Sequence, residues 1–92
     1  MTGTPTAYHA YNLFSLTMES RYGSAWRTCV APETIASLAD EIAQGFGGRA
    51  DGSLLIPGSD RTASVWQFPD GSRALTGRFG LRREDDREKK AA

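Results

Sequence analysis

Val65-Trp66-Gln67-Phe68-Pro69-Asp70-Gly71-Ser72-Arg73-Ala74-Leu75 decides how this chain folds. Two apolar runs flank a turn, and a slip of one residue in their pairing sends every side chain to the other face of the sheet. With a four-residue loop, Phe68 faces Arg73 and Trp66 faces Leu75. Trp66, Phe68, Leu75, Phe79 and Leu81 then share one face, and Gln67, Thr76 and Arg78 the other, with Val65 as the exception. With a three-residue loop, Phe68 faces Ser72 and Trp66 faces Ala74. Pro69-Asp70-Gly71 is good chemistry for that turn. Val65, Leu75 and Phe79 now lie opposite Trp66 and Phe68, so both faces are apolar. Burying one large apolar side chain is worth about 1.5–3 kcal/mol, more than a turn preference. A monomer with a single covering helix is therefore expected to take the four-residue loop. The other register calls for a partner surface, such as a second copy, over Trp66 and Phe68.

Outward from the hairpin, residues 63–68 and 73–81 read as strands, and Leu54-Leu55-Ile56 as another. Asp51-Gly52-Ser53 and Pro57-Gly58-Ser59-Asp60 read as turns. The clearest helix spans about 32–44. Pro32 suits its first position, Glu33 its positive end, and Gly45 its stop. Ile35, Leu38, Ala39, Ile42 and Phe46 form its apolar stripe, with Asp40 and Glu41 as solvated charge on the other side. Earlier in the chain, Phe14, Leu16 and Met18 alternate with polar residues, the period of a half-buried strand. Tyr22-Gly23-Ser24 reads as a turn, and residues 25–30 as a second strand with Trp26, Thr28 and Val30 on one face. A helix over 8–22 is the competing reading. Its Asn, Thr and Ser are poor helix-interior residues, which favours strands. The expected architecture is α+β: one helix on an antiparallel sheet, in the order β-β-α-β-β-β.

Ninety-two residues make a single domain with a small core. Its expected bounds are 8–82, between a mobile segment 1–7 and a charged tail 83–92. Formal net charge is zero. Residues 1–81 carry six Arg against seven acids, and 82–92 five basic against four acidic groups. Neither part has the basic excess that coats nucleic acid non-specifically. A lone cysteine, Cys29, forms no intrachain disulfide, and no stretch has the apolar length of a signal peptide or membrane span. A reducing, cytoplasmic setting is the expectation.

Chemistry-bearing patterns are sparse. Cys29 and His9 are the one conceivable nucleophile–base pair, but Cys29 lacks a nucleophile motif and His9 adjoins the N-terminal segment. One His and one Cys do not complete a zinc site, and no acidic run has calcium-loop spacing. Gly45-Phe46-Gly47-Gly48-Arg49 follows a helix rather than preceding one, the wrong side for a phosphate loop. No cofactor and no metal is expected. Tyr8, Tyr11 and Tyr22 read as core rim, with interface anchoring as the alternative.

What is left is surface. Arg73, Arg78, Arg82 and Arg83 lie on or after the last strand, and arginine suits bidentate pairing with carboxylates. Together with Trp66 and Phe68 they are the candidate partner-binding residues. The expected function is a non-enzymatic protein-binding domain of inhibitor or adaptor type that acts by occluding another macromolecule's surface. Phage-encoded inhibitors of host defence such as anti-CRISPR proteins are of this physical kind, although no motif here belongs to them. Expected partners are a protein with an acidic surface and a second copy of the chain. Nucleic-acid binding by the same arginines is the alternative.

Overall fold

The hairpin takes the three-residue loop. In the computed structural model, which describes residues 6–56 and 61–84, Trp66 pairs with Ala74, Gln67 with Arg73 and Val65 with Leu75. The Phe68 N–H donates to the Ser72 carbonyl at 2.9 Å. Gly71 closes the loop at φ 92°, a conformation that a Cβ disfavours. The register expected for a monomer, with Trp66 opposite Leu75, is not the one adopted.

The reason lies at the other end of the chain. The elements are α1 (Ala7–Tyr22), α2 (Trp26–Cys29), α3 (Pro32–Gly45), β1 (Arg49–Leu55), β2 (Thr62–Gln67), β3 (Arg73–Gly77) and β4 (Gly80–Arg83). The strands form one antiparallel sheet in the order β1-β2-β3-β4. The α+β class and the antiparallel sheet match expectation, but the β-β-α-β-β-β order does not. Both strands expected before residue 31 are helical, so three helices replace one. With α1 and α3 packed on the sheet, the Trp66/Phe68 face has its cover within one chain.

Helix α1 begins where Thr6 caps it, its side chain accepting the His9 N–H at 3.1 Å. Ala7, Ala10, Phe14 and Met18 are its buried stripe, at steps of three and four. Phe14 and Met18 fit both a two-residue and a helical period. Leu13 and Leu16, 41% and 66% exposed, are apolar on the solvent side and blur the helical pattern. Thr6 and Ala7, from the expected N-terminal segment 1–7, are the cap and first residue of this helix. Residues 1–5, and 85–92 of the expected tail, lie outside the described residues, while Arg83 closes β4.

The main core joins Ala7, Ala10, Phe14, Met18, Trp26, Ile35, Ala39, Ala43, Phe68, Ala74 and Leu81. Trp26 meets Phe14 edge to face, with ring centroids 5.5 Å apart, a favourable aromatic geometry. On the opposite face, Ala63, Val65 and Leu75 form a smaller buried cluster with Leu54, Ile56 and Phe79 at its margin. The sheet is therefore apolar on both sides.

Two further boundaries shift. Asp51-Gly52 is no turn but an irregularity inside β1, where the pairing slips between Ala50 and Ser53. The strand expected over 73–81 is broken at Arg78-Phe79 by a tight turn, with Gly77 paired to Gly80. The expected turn at 57–60 lies outside the described residues. Gly80 sits at φ 112°, and a Cβ there would come within 2.7 Å of the Phe14 ring. That close approach lets Phe14 and Trp26 pack directly on the β4 backbone.

A hydroxyl chain fixes α1 to the hairpin. The Ala7 N–H donates to Ser72 Oγ at 2.9 Å, satisfying a first-turn donor that no helical carbonyl reaches. Ser72 Oγ–H and N–H both donate to Asp70 Oδ1, at 2.5 and 3.0 Å. The Ser72 side-chain hydrogen bond holds the Asp70 carboxyl below its ordinary value of 3.8.

Two outcomes follow. Gly80→Ala should destabilise the fold by about 2–4 kcal/mol in urea titration, from positive φ and overpacking together. A depressed carboxyl pKa contributes stability above the ordinary value, lost as pH falls through the folded-state value. The Ser72 amide resonance should therefore titrate below pH 3.8 in the wild type, and that step should vanish in Asp70→Asn.

Candidate functional site

Thr76 is the one buried polar residue of the described core, 1% exposed. Its Oγ accepts the Trp66 indole N–H at 2.8 Å and donates to Asp40 Oδ1 at 2.5 Å. That short contact is a charge-assisted hydrogen bond. The chain of bonds links β2, β3 and α3. The adopted register makes it possible: Trp66 lies opposite Ala74, so Thr76 is its diagonal neighbour on the same face. Expectation put Thr76 on the solvent face and made Asp40 a solvated charge. Instead Thr76 is buried and Asp40 is half-buried against it.

Beside this chain opens a cleft of about 700 Å³ between α3 and the sheet. It is lined by Pro32, Ala36 and Asp40 of α3, by Thr62, Ser64, Thr76 and Gly77 of the sheet, and by Ile56, Arg61, Arg78 and Phe79 next to the strand ends. The cleft follows from how the helices are placed. Both α1 and α3 pack against β3 and β4, leaving the β1–β2 side of that face open. The volume is that of a ligand site, and the lining mixes apolar side chains with polar groups and two guanidiniums. Arg78 reaches back to Glu33 at 2.7 Å. Both side chains are largely exposed, 46% and 71%, so the pair contributes little and an incoming carboxylate competes with it readily.

The six residues singled out from the sequence do not form one surface. Phe68 is 2% exposed and belongs to the core. Trp66 is half-buried and committed to Thr76. Arg73 lies between Asp51 and Glu84, at 3.8 and 3.6 Å. Arg83 lies over the rings of Tyr8 and Tyr11, at 5.0 and 5.9 Å. Arg78 and Arg82 flank Phe79 in sequence but have different partners, Glu33 for Arg78 and the Phe79 ring for Arg82. Arg78 precedes Phe79 in the turn, and the Arg82 guanidinium lies 5.3 Å over its ring. Tyr11 packs at the core rim, while Tyr8 and Tyr22 are 51% and 40% exposed. Cys29 is exposed, with the Thr28 hydroxyl at 4.0 Å, while the His9 ring meets Tyr8. The structure does not join the two.

Arg61 and Asp40 are the cleft residues that the sequence hid. Arg61 follows the turn expected at 57–60 and carries no periodic signal. Asp40 was visible as a charge, but its burial depends on a register that its own helix does not encode. Among the described residues no group of three His, Cys, Asp or Glu could hold a metal, and no helix is long and apolar enough to cross a membrane. No protein family, no curated protein and no solved structure matches this chain.

Thr76→Val should lose about 1–3 kcal/mol, the cost of stranding the Trp66 N–H and an Asp40 oxygen. Thr76→Ser, which keeps the hydroxyl, should lose clearly less. Urea midpoints measured side by side check the order.

Proposed function

We propose that the chain is a non-enzymatic protein-binding domain, and that its contact surface is the cleft between α3 and the sheet. The occupant is a short extended segment of another protein that combines acidic with apolar side chains. The observation that carries this reading is the lining of the cleft. Pro32, Ala36, Ile56 and Phe79 offer apolar contact, while Arg61 and Arg78 add guanidiniums to the lining, Arg78 through an exposed pair with Glu33 that an incoming carboxylate displaces readily. Arginine forks pair with carboxylates in a planar, bidentate way.

Asp40 shapes the choice further. Among the described residues it is the only acid of the lining, and Thr76 already occupies its Oδ1. Its charge repels an anion beside it and favours a donor there, such as a peptide N–H. An acidic segment would thus lie with its carboxylates toward Arg61 and Arg78 and its backbone over Asp40. Filling the cleft covers the partner's segment, which is how an inhibitor or adaptor of this size would act.

A titration of the isotope-labelled protein at low salt tests this. One probe is a short peptide alternating Glu with Leu, and the other an oligothymidylate of equal charge. The peptide should shift Ala36, Ser64, Gly77 and Arg78 resonances saturably, and Arg78→Glu should weaken it about tenfold or more. Tighter binding of the oligonucleotide, or peptide shifts that Arg78→Glu leaves unchanged, would contradict the proposal.

A further inference from the structure

A second concavity, of about 360 Å³, lies on the other side of the β3–β4 turn, lined by Tyr11, Arg27, Phe79, Leu81 and Arg82. Among the described residues it shares only Phe79 with the cleft. We infer that it binds a phosphate dianion, free or as a monoester, through the guanidiniums of Arg27 and Arg82. The inference does not rest on the peptide reading of the cleft.

Three observations support it. First, both arginines line this one small space, and among the described residues neither has a carboxylate at ion-pair distance. Arg73 and Arg78, by contrast, have acids beside them. An anion in this concavity therefore meets two positive charges that no described acid pairs. Second, the guanidiniums are held in place in advance. Arg27 lies 4.4 Å over the ring of Trp26, itself 2% exposed and fixed against Phe14. Arg82 lies 5.3 Å over Phe79. Cation–π contacts of this kind lower the entropy lost when the forks grip an oxyanion. Third, the charges match. Two guanidiniums complement the charge of about −1.5 to −2 on a phosphate monoester better than the single charge of a carboxylate.

The phosphate could be free or carried on a side chain or a nucleoside, so the test uses one probe of each kind. The intact protein is titrated with inorganic phosphate, phosphoserine and adenosine monophosphate at constant ionic strength, with acetate as the control. Saturable shifts are expected at Tyr11, Arg27, Leu81 and Arg82 for at least one phosphate, and acetate should bind far more weakly. Arg27→Gln and Arg82→Gln should each weaken phosphate binding about tenfold or more. Both positions are exposed, so the variants should fold, as an unchanged spectrum elsewhere would show. The probe that binds tightest identifies the carrier. Linear, non-saturating shifts with all three phosphates would overturn the inference, as would acetate matching them or affinity surviving both substitutions. Arg78 does not line this concavity, so the charge-neutralising Arg78→Gln should leave phosphate affinity within about twofold while weakening the peptide in the cleft, which separates this site's failure from that of the cleft.

Discussion

The hydroxyl of Thr76 has only one arrangement in which both its bonds are made. It must face the Trp66 indole across the sheet and the Asp40 carboxylate across the helix layer. A register shifted by one residue would set Thr76 opposite Val65 and point it away from Trp66. The indole N–H and a carboxylate oxygen would then be left in a half-dry environment, each at a cost of about 1–3 kcal/mol. That penalty rivals the gain from burying one more large apolar side chain. It therefore bears on the register as strongly as the hydrophobic pattern does, and in the opposite direction.

The same device appears at the other end of β3's hairpin. Ser72 accepts an N–H from α1 and donates to Asp70, as Thr76 accepts from Trp66 and donates to Asp40. One hydroxyl docks the start of α1 and the other docks α3. Both are four residues apart on the same face, so the two helices are set against one strand. Their shared preference for β3 and β4 leaves the β1–β2 side of the sheet uncovered, and the cleft is what remains there. Fold and site thus have a common cause.

This also explains which parts were legible in the residues. Helix α3 was, because Pro32, Glu33 and Gly45 mark its ends and Ile35, Ala39 and Ala43 its buried side. Strands β2 and β3 were, because a turn with Gly71 separates two apolar runs. Helix α1 was misread: Leu13 and Leu16 are apolar yet exposed, while two of its four buried residues are alanines. Once α1 is taken as strand, a single helix must cover the sheet, and the apolar count then selects the wrong hairpin register. The site inherits that error. With Thr76 on the solvent face, Asp40 has no partner and no cleft forms beside it. Arg78 and Arg82 were visible as charges, but their separate partners, Glu33 and the Phe79 ring, depend on the turn that splits the last strand. Arg27 gave no signal, because its role arises only from Trp26 packing on Phe14.

The cleft and the arginine pocket stand on either side of one turn, so a small chain presents two chemically different concavities around Phe79. Their existence rests on the register. Cross-strand proton contacts in the native protein, read by NMR, test it most directly. The account predicts that Val65 pairs with Leu75 and Gln67 with Arg73. Val65 paired with Thr76, and Gln67 with Ala74, would place Thr76 away from Trp66 and contradict it.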